Sequence, residues 1–153
     1  MEEKAYWLAL QRVGGLGPVK LRRLIGFFGS AARAWQSTPL ELKEIKGLDS
    51  RTINNLIEAK KKIYPEKELE AVEKLDIKVL TIDDQDYPAN LKEIYAPPPI
   101  LYLKGNLLTE DQKALAIVGS RKATFYGLRI TGELSNQLAD YGITVVSGLA
   151  RGI

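Results

Sequence analysis

The sequence contains neither cysteine nor histidine. The lack of cysteine excludes disulfide bonds and thiolate metal sites, and the lack of histidine excludes histidine-based triads and the commonest general base. No apolar run approaches the roughly 20 residues needed to span a bilayer, and the first residues lack the basic segment and cleavage site of a signal peptide. These absences predict a cytoplasmic protein without a metal or cofactor, and they remove most classes of enzyme.

Charge is segregated along the chain, although its net value is only +3 at pH 7. Residues 1–65 hold 12 Lys/Arg against 6 Asp/Glu, residues 66–112 hold 5 against 11, and residues 113–153 hold 5 against 2. Two basic segments around an acidic one indicate that the ends of the chain meet polyanions. The alternative is that the basic residues serve solubility alone.

The first 65 residues predict a small all-helical domain, because short amphipathic segments alternate with helix start and stop signals. These signals are, in order, Gly14-Gly15, Pro18, Gly29, Ser30, Thr38 with Glu41, and Asp49 or Ser50. An internal repeat lies in this region: residues 13–18 and 45–50 share an apolar-x-Gly-Leu pattern 32 residues apart, and each precedes an amphipathic helix.

The acidic middle of the chain predicts mixed structure. Pro65 starts a further helix with favourable acidic residues in its first turns. The segment Ile77–Ile82 predicts a strand and residues 83–86 a solvated acidic turn. The run Pro97–Pro99 forces an extended segment, which leads into a strand over Ile100–Leu103.

The segment from residue 114 onward predicts a βαβ unit. Ala114–Val118 is a continuous apolar run, typical of a strand buried on both faces of a parallel sheet. Apolar residues then recur at helical spacing from Tyr126 to Tyr141, and Ile143–Val146 supplies the second strand. Ligands bind at the carboxyl ends of such strands, where the helix N-terminus favours anions.

The loop after the first strand has the ingredients of a phosphate-binding loop. Gly119 lets a backbone approach closely, Ser120 offers a hydroxyl and Arg121 a planar set of donors. The dinucleotide and nucleoside triphosphate fingerprints are both incomplete here. An ordinary turn whose arginine forms a surface ion pair is the alternative. A second glycine-rich turn, residues 147–153, follows the second strand, so the two loops line one crevice if the strands are neighbours.

Together these motifs, IVGSR-x-x-T-x-x-G and VVSGLARGI, resemble the DNA-processing protein A family (DprA/Smf), bacterial proteins that load recombinase onto incoming single-stranded DNA. Residues 87–105, with Tyr87-Pro88 and the three prolines, are also similar to the family. Ala96 departs from it, since an aspartate is expected there. The family's domain continues past SGLARGI, so the sequence is expected to be an N-terminal part.

The resemblance implies a fold and two domains. A helical domain of the sterile-alpha-motif-like (SAM-like) or helix-hairpin-helix kind is expected over 1–65, and the incomplete start of a Rossmann-like parallel-sheet domain over 66–153. In the first hairpin, Gly15, Gly17 and Lys20 are candidates for a second DNA contact, the alternative being a hairpin that only packs two helices. In the second, Asp49 replaces a glycine, so that hairpin is interpreted as structural.

The resemblance also implies a function without enzymatic chemistry: binding single-stranded DNA and handing it to a RecA-type recombinase in natural transformation, with a homodimer in the full-length protein. The residues expected to bind DNA phosphates are Gly119, Ser120, Arg121, Lys122, Ser147, Gly148, Arg151 and Gly152. One alternative is a nucleotide or sugar-phosphate hydrolase, which requires a carboxylate beside the loop. Another is a protein-binding scaffold, which leaves the charge segregation unexplained.

Overall fold

The computed structural model describes residues 2–153, which have the predicted mixed α/β character. They divide into two compact units, the first extending to Gly105 and the second comprising Asn106–Ile153. The elements of the first unit are α1 (Glu3–Gln11), α2 (Pro18–Phe28), α3 (Ala31–Gln36), α4 (Pro39–Lys43), α5 (Ser50–Lys60), α6 (Pro65–Glu73), β1 (Lys78–Thr81), α7 (Ala89–Lys92) and β2 (Ile100–Leu103). Those of the second are a short 3-10 helix (Thr109–Gln112), β3 (Ala114–Ala116), α8 (Phe125–Asp140) and β4 (Thr144–Val146).

Several helices of the first unit begin or end at residues that the sequence predicts. Ser30 caps α3 by accepting a hydrogen bond from the Arg33 N–H at 3.1 Å. Thr38 and Glu41 form a capping box at the start of α4. Gly29 ends α2 in the left-handed conformation, with φ 79°, which favours glycine because it has no Cβ. Local side-chain chemistry therefore sets these boundaries.

One hydrophobic core holds the first unit together. Buried side chains from the helices and from β1 and β2 belong to it, among them Trp7, Leu10, Leu21, Leu24, Leu42, Leu56, Val79 and Ile100. The strands β1 and β2 pair antiparallel, an arrangement that the sequence pattern left unspecified, and α7 lies where the sequence analysis makes no prediction. Helices α3 and α6 both pack against α1.

The predicted domain boundary at residue 65 does not coincide with the division between the compact units. Leu69 and Val72 of α6 pack against the same core as the preceding helices. Arg12 and Glu68 form an ion pair at 2.5 Å, and Lys4 donates a hydrogen bond to the Val79 carbonyl at 2.9 Å. The division falls at Gly105 because residues 66–105 share the core of the helical segment.

The internal repeat is confirmed in three dimensions. Helices α2 and α5 each have 11 residues, and they begin 32 positions apart at Pro18 and Ser50. The turns before them contain Gly15 and Gly47, whose φ angles are 85° and 86°. The first unit therefore contains two hairpins of the same local geometry, residues 13–18 and 45–50, each followed by a helix of the same length.

The two hairpins complete each other. The Asn55 amide donates a hydrogen bond to the Gly14 carbonyl at 2.7 Å, and the Arg23 guanidinium donates one to the Lys46 carbonyl at 2.8 Å. Asn55 and Arg23 are equivalent positions of the repeat, as are Gly14 and Lys46. Each helix thus satisfies a carbonyl of the other hairpin, the reciprocal pattern expected of a twofold relation.

The second unit contains the predicted βαβ arrangement. Strands β3 and β4 pair in parallel, with Leu115 opposite Val145, and α8 connects them. Within residues 2–153 the expected burial of Ala114–Val118 on both faces does not occur. Leu115 is 43% exposed and Val118 82%, because one two-stranded sheet and one helix provide no second layer to cover the strand. None of the helices within residues 2–153 combines the length and apolar character needed to cross a bilayer.

Candidate nucleic-acid interface

The loop after β3 is ordered by its own side chains. The Ser120 hydroxyl accepts a hydrogen bond from the Lys122 N–H at 3.1 Å and donates one to the Lys122 carbonyl at 3.3 Å. Thr124 then caps α8 by accepting from the Gly127 N–H at 3.1 Å. The loop therefore delivers the chain directly into the start of a 16-residue helix, whose unpaired N–H groups favour an anion.

The loop after β4 folds onto the first loop, as the parallel pairing of the strands predicts. The Ile153 N–H donates a hydrogen bond to the Ser120 carbonyl at 3.2 Å. The Ser147 hydroxyl accepts one from the Leu149 N–H at 3.3 Å. Gly152, with φ 105°, lies against the backbone of Ser120 and Arg121, where a side chain would collide with the first loop.

Gly119 has a steric role in this contact. A Cβ at Gly119 would come within 2.7 Å of the Ile153 Cβ, and a Cβ at Gly127 within 3.1 Å of the Ile153 Cδ1. Ile153 thus packs into the space that two glycines leave open, one from the loop and one from the first turn of α8. The sequence indicated close backbone approach at Gly119, but not that a side chain of the same protein occupies the space.

The cationic side chains of the predicted site remain available. Within residues 2–153 the side chains of Arg121, Lys122 and Arg151 take part in no hydrogen bond or ion pair, and all three residues are exposed. No acidic residue occurs in 112–132 or in 141–153. The structure therefore brings Ser120, Arg121, Gly152 and the second loop together at the carboxyl ends of β3 and β4, with unpaired positive charge around them. Gly148 lies in the exposed part of the second loop.

The predicted second DNA contact has a different environment. The Lys20 ammonium forms an ion pair with Asp49 and donates a hydrogen bond to the Thr52 hydroxyl at 3.1 Å. The Gly15 carbonyl oxygen lies 3.5 Å from the same hydroxyl, and Gly17 precedes α2 without a side-chain cap. Lys20 therefore already serves an internal carboxylate, and the sequence alone gave no sign of this pairing.

Asp49 in the second hairpin is held as a carboxylate. The Lys20 ammonium, the Thr52 N–H and the Thr52 hydroxyl all donate to it, and together they hold the pKa of Asp49 well below its usual range. The same carboxylate caps α5. This agrees with the interpretation of the second hairpin as structural.

One exposed group beside the loops was not singled out from the sequence. Phe125, the first residue of α8, is 94% exposed, and its neighbour Tyr126 is 68% exposed. In the sequence Tyr126 belongs to the periodic apolar stripe of the helix. An aromatic residue directly after the capping residue Thr124 was the available signal.

The second half of the chain matches the profile of a known protein family. The profile of the family described as DNA recombination-mediator protein A matches residues 78–153. This range includes both glycine-rich loops as well as β1 and β2.

Curated relatives cover more of the chain. Protein Smf of Synechocystis sp. is 40% identical over 155 residues, which covers 99% of this chain and 39% of that protein. DNA processing protein DprA of Bacillus subtilis is 37% identical over 86 residues, covering 56% of this chain and 29% of that protein. Protein Smf of Escherichia coli is 34% identical over 94 residues, covering 59% and 25%. The chain thus spans about two fifths of the Synechocystis relative and less of the other two.

Proposed function

The chain belongs to the DNA recombination-mediator protein A family (DprA/Smf), and from this premise we propose that it binds single-stranded DNA and passes it to a RecA-type recombinase in natural transformation. The family description names recombination mediation, and the Bacillus subtilis relative is named a DNA processing protein. A mediator of recombination has to hold a DNA strand without consuming it, so the proposed role needs no catalytic residue.

The observation that carries this proposal is the convergence of the two glycine-rich loops. Ser120 and Ile153 join them by a hydrogen bond of 3.2 Å between backbone atoms. Arg121, Lys122 and Arg151 stand around this junction without internal partners in the described chain. Unpaired cations and loop N–H groups are the donors that DNA phosphates accept from.

The proposed mechanism is electrostatic positioning of the strand. The planar guanidinium of Arg121 donates hydrogen bonds to one phosphate, while the exposed cationic side chains of Lys122 and Arg151 neutralise neighbouring phosphates. The Ser120 and Ser147 hydroxyls and the N–H groups around Gly119, Gly148 and Gly152 complete the contact. Such contacts fix the path of the backbone and do not read the bases. The recombinase would therefore receive a strand of any sequence.

Finer assignments of fold and assembly are part of the same proposal. The paired hairpins support a SAM-like domain of the helix-hairpin-helix kind, and the parallel βαβ unit supports the opening of a Rossmann-like domain. Action on incoming DNA beside a recombinase implies a cytoplasmic protein, and we propose a homodimer for the full-length form. A DNA contact at the first hairpin would use Gly15 and Gly17 rather than Lys20, whose charge Asp49 already occupies.

The hydrolase hypothesis receives less support from the same geometry. It needs a carboxylate beside the phosphate loop to act as acid or base. Between residues 113 and 153 the only acidic side chains in the sequence are those of Glu133 and Asp140. Glu133 lies in the third turn of α8, where it pairs with Arg129 at 3.8 Å.

The replacement Arg121→Ala tests the phosphate-binding role. We expect it to weaken binding of single-stranded DNA about equally for unrelated sequences, because a phosphate contact carries no base information. It should also lower the magnitude of the slope of log affinity against log salt by roughly 0.7, because binding then releases the counterions of one phosphate fewer. The measurement is a salt titration of wild type and variant on two unrelated oligonucleotides.

The matched control is Lys113→Ala, which removes an exposed cation immediately before β3, at the opposite end of the strand from the loops. Its slope and affinity should equal those of the wild type. If Arg121→Ala behaves like this control, Arg121 does not bind phosphate, and the proposed mechanism is wrong.

A further inference from the structure

Two aromatic side chains project into solvent at the start of α8. Phe125 is 94% exposed and Tyr126 is 68% exposed. The Arg129 guanidinium lies over the Tyr126 ring at 5.9 Å from its centroid, whereas Phe125 has no ring or cation against it within residues 2–153. A flat apolar group so placed has both faces open to a ligand.

The surroundings of Phe125 define the ligand. Phe125 follows Lys122 by three residues and Arg121 by four, so its Cα lies at most about 15 Å from that of Arg121. The hydrogen bond from the Gly127 N–H to Thr124, at 3.1 Å, fixes the start of the helix and with it the backbone position of Phe125. Positive charge for phosphates and an open aromatic face a few residues away are the two elements of a single-strand binding surface.

We infer that Phe125, with Tyr126 beside it, stacks on unpaired nucleobases of the strand whose phosphates lie against the loop of Gly119–Lys122. This inference rests on the proposed function and adds a base contact to it. In a duplex the base faces are covered by their neighbours, so the ring finds no partner along it. Stacking at Phe125 therefore supplies a preference for single-stranded over double-stranded DNA, which phosphate contacts alone do not provide.

The test uses the intact protein with three probes: an oligothymidylate, an abasic deoxyribose-phosphate oligomer of the same length, and a duplex of that length. Phe125→Ala should weaken binding of the oligothymidylate about 5- to 150-fold, the range for loss of one stacked base. Its binding of the abasic oligomer and of the duplex should equal that of the wild type, as should its salt slope. Phe125→Trp should retain binding of the oligothymidylate.

The matched control is Tyr141→Ala, because Tyr141 is an aromatic residue 83% exposed at the other end of α8. It should bind all three probes like the wild type. An equal loss in Phe125→Ala on the abasic and base-bearing oligomers, or no loss on either, overturns the stacking inference and leaves the phosphate site standing. A wild-type protein that binds none of the probes overturns the proposed function and the stacking inference together.

Discussion

Gly119 shows how a single residue connects two loops that are far apart in sequence. Its missing side chain leaves the space that Ile153 fills, and a Cβ there would approach the Ile153 Cβ to 2.7 Å. Real Cβ atoms do not come so close, so a larger residue has to push the second loop away. The same displacement would move the backbone of the proposed phosphate site.

At this scale we expect Gly119→Val to weaken single-stranded DNA binding and to lower the free energy of unfolding of the second unit. Overpacking of this kind costs about 1–3 kcal/mol. Urea unfolding of wild type and variant, followed by the backbone amide NMR signals of residues 106–153, measures the loss. The control is Gly132→Ala on α8, where an added Cβ meets nothing within 4 Å. It should be neutral or stabilising by up to about 1 kcal/mol. Equal unfolding midpoints for Gly119→Val and wild type would show that the loops do not touch in solution.

Among the elements, α5 depends on a charged cap. The Asp49 carboxylate accepts from the Thr52 N–H at 2.9 Å and pairs with Lys20 of α2. Its pKa is lowered, first by the Lys20 hydrogen bond and then by the bonds from Thr52. A carboxyl group whose pKa is lowered in the folded state stabilises the fold at pH values above its ordinary pKa near 4. This stabilisation is lost progressively as the pH falls from that value toward the lowered pKa.

The replacement Asp49→Asn tests this contribution of the carboxylate to stability. Asparagine keeps the cap but not the charge, so the variant should be less stable than the wild type at pH 7. The difference should shrink as the pH falls from about 4 toward 2, and it should shrink with added salt at pH 7 because the pair is exposed. Urea midpoints across this pH range measure it. Lys20→Met removes the partner and should reduce the acid dependence in the same direction; parallel curves for all three proteins would contradict the assignment.

The helix boundaries could be predicted from the sequence, whereas the contacts between distant elements could not. Gly29, Ser30 and the Thr38–Glu41 box set helix ends through contacts within four residues, and these were predicted correctly. The pairing of β1 with β2, the engagement of Lys20 by Asp49 and the packing of Ile153 on Gly119 join residues about 20 to 35 positions apart. Such contacts depend on how elements meet, which local periodicity does not encode. For the same reason the apolar run Ala114–Val118 predicted the strand, whereas its expected burial on both faces does not occur within residues 2–153.

For the whole molecule, the division into two units predicts where a protease cuts first. Lys104 is exposed and lies at the junction next to Gly105, whose φ is 97°. The segment near Tyr64-Pro65, by contrast, leads into a helix that packs on the core and is tied to α1 by the 2.5 Å ion pair of Arg12 with Glu68.

Limited trypsin digestion should therefore release a stable fragment ending at Lys104 before any cut occurs at residues 60–68. Lys104→Gln removes that trypsin site and should slow the first cleavage while leaving the unfolding of the first unit unchanged. Early cleavage at residues 60–62, with 66–104 lost, would instead support separate folding units on either side of residue 65.

The reciprocal bonds between the hairpins have a consequence for the order of folding. The bond from Asn55 to Gly14 spans 41 residues and that from Arg23 to Lys46 spans 23. Neither turn gains its carbonyl partner until the helix of the other hairpin has docked, so neither is a self-sufficient nucleus. Because both bonds need the two hairpins to be docked together, we expect the hairpins to become protected from hydrogen exchange in a single cooperative step, each copy of the repeat completing the other.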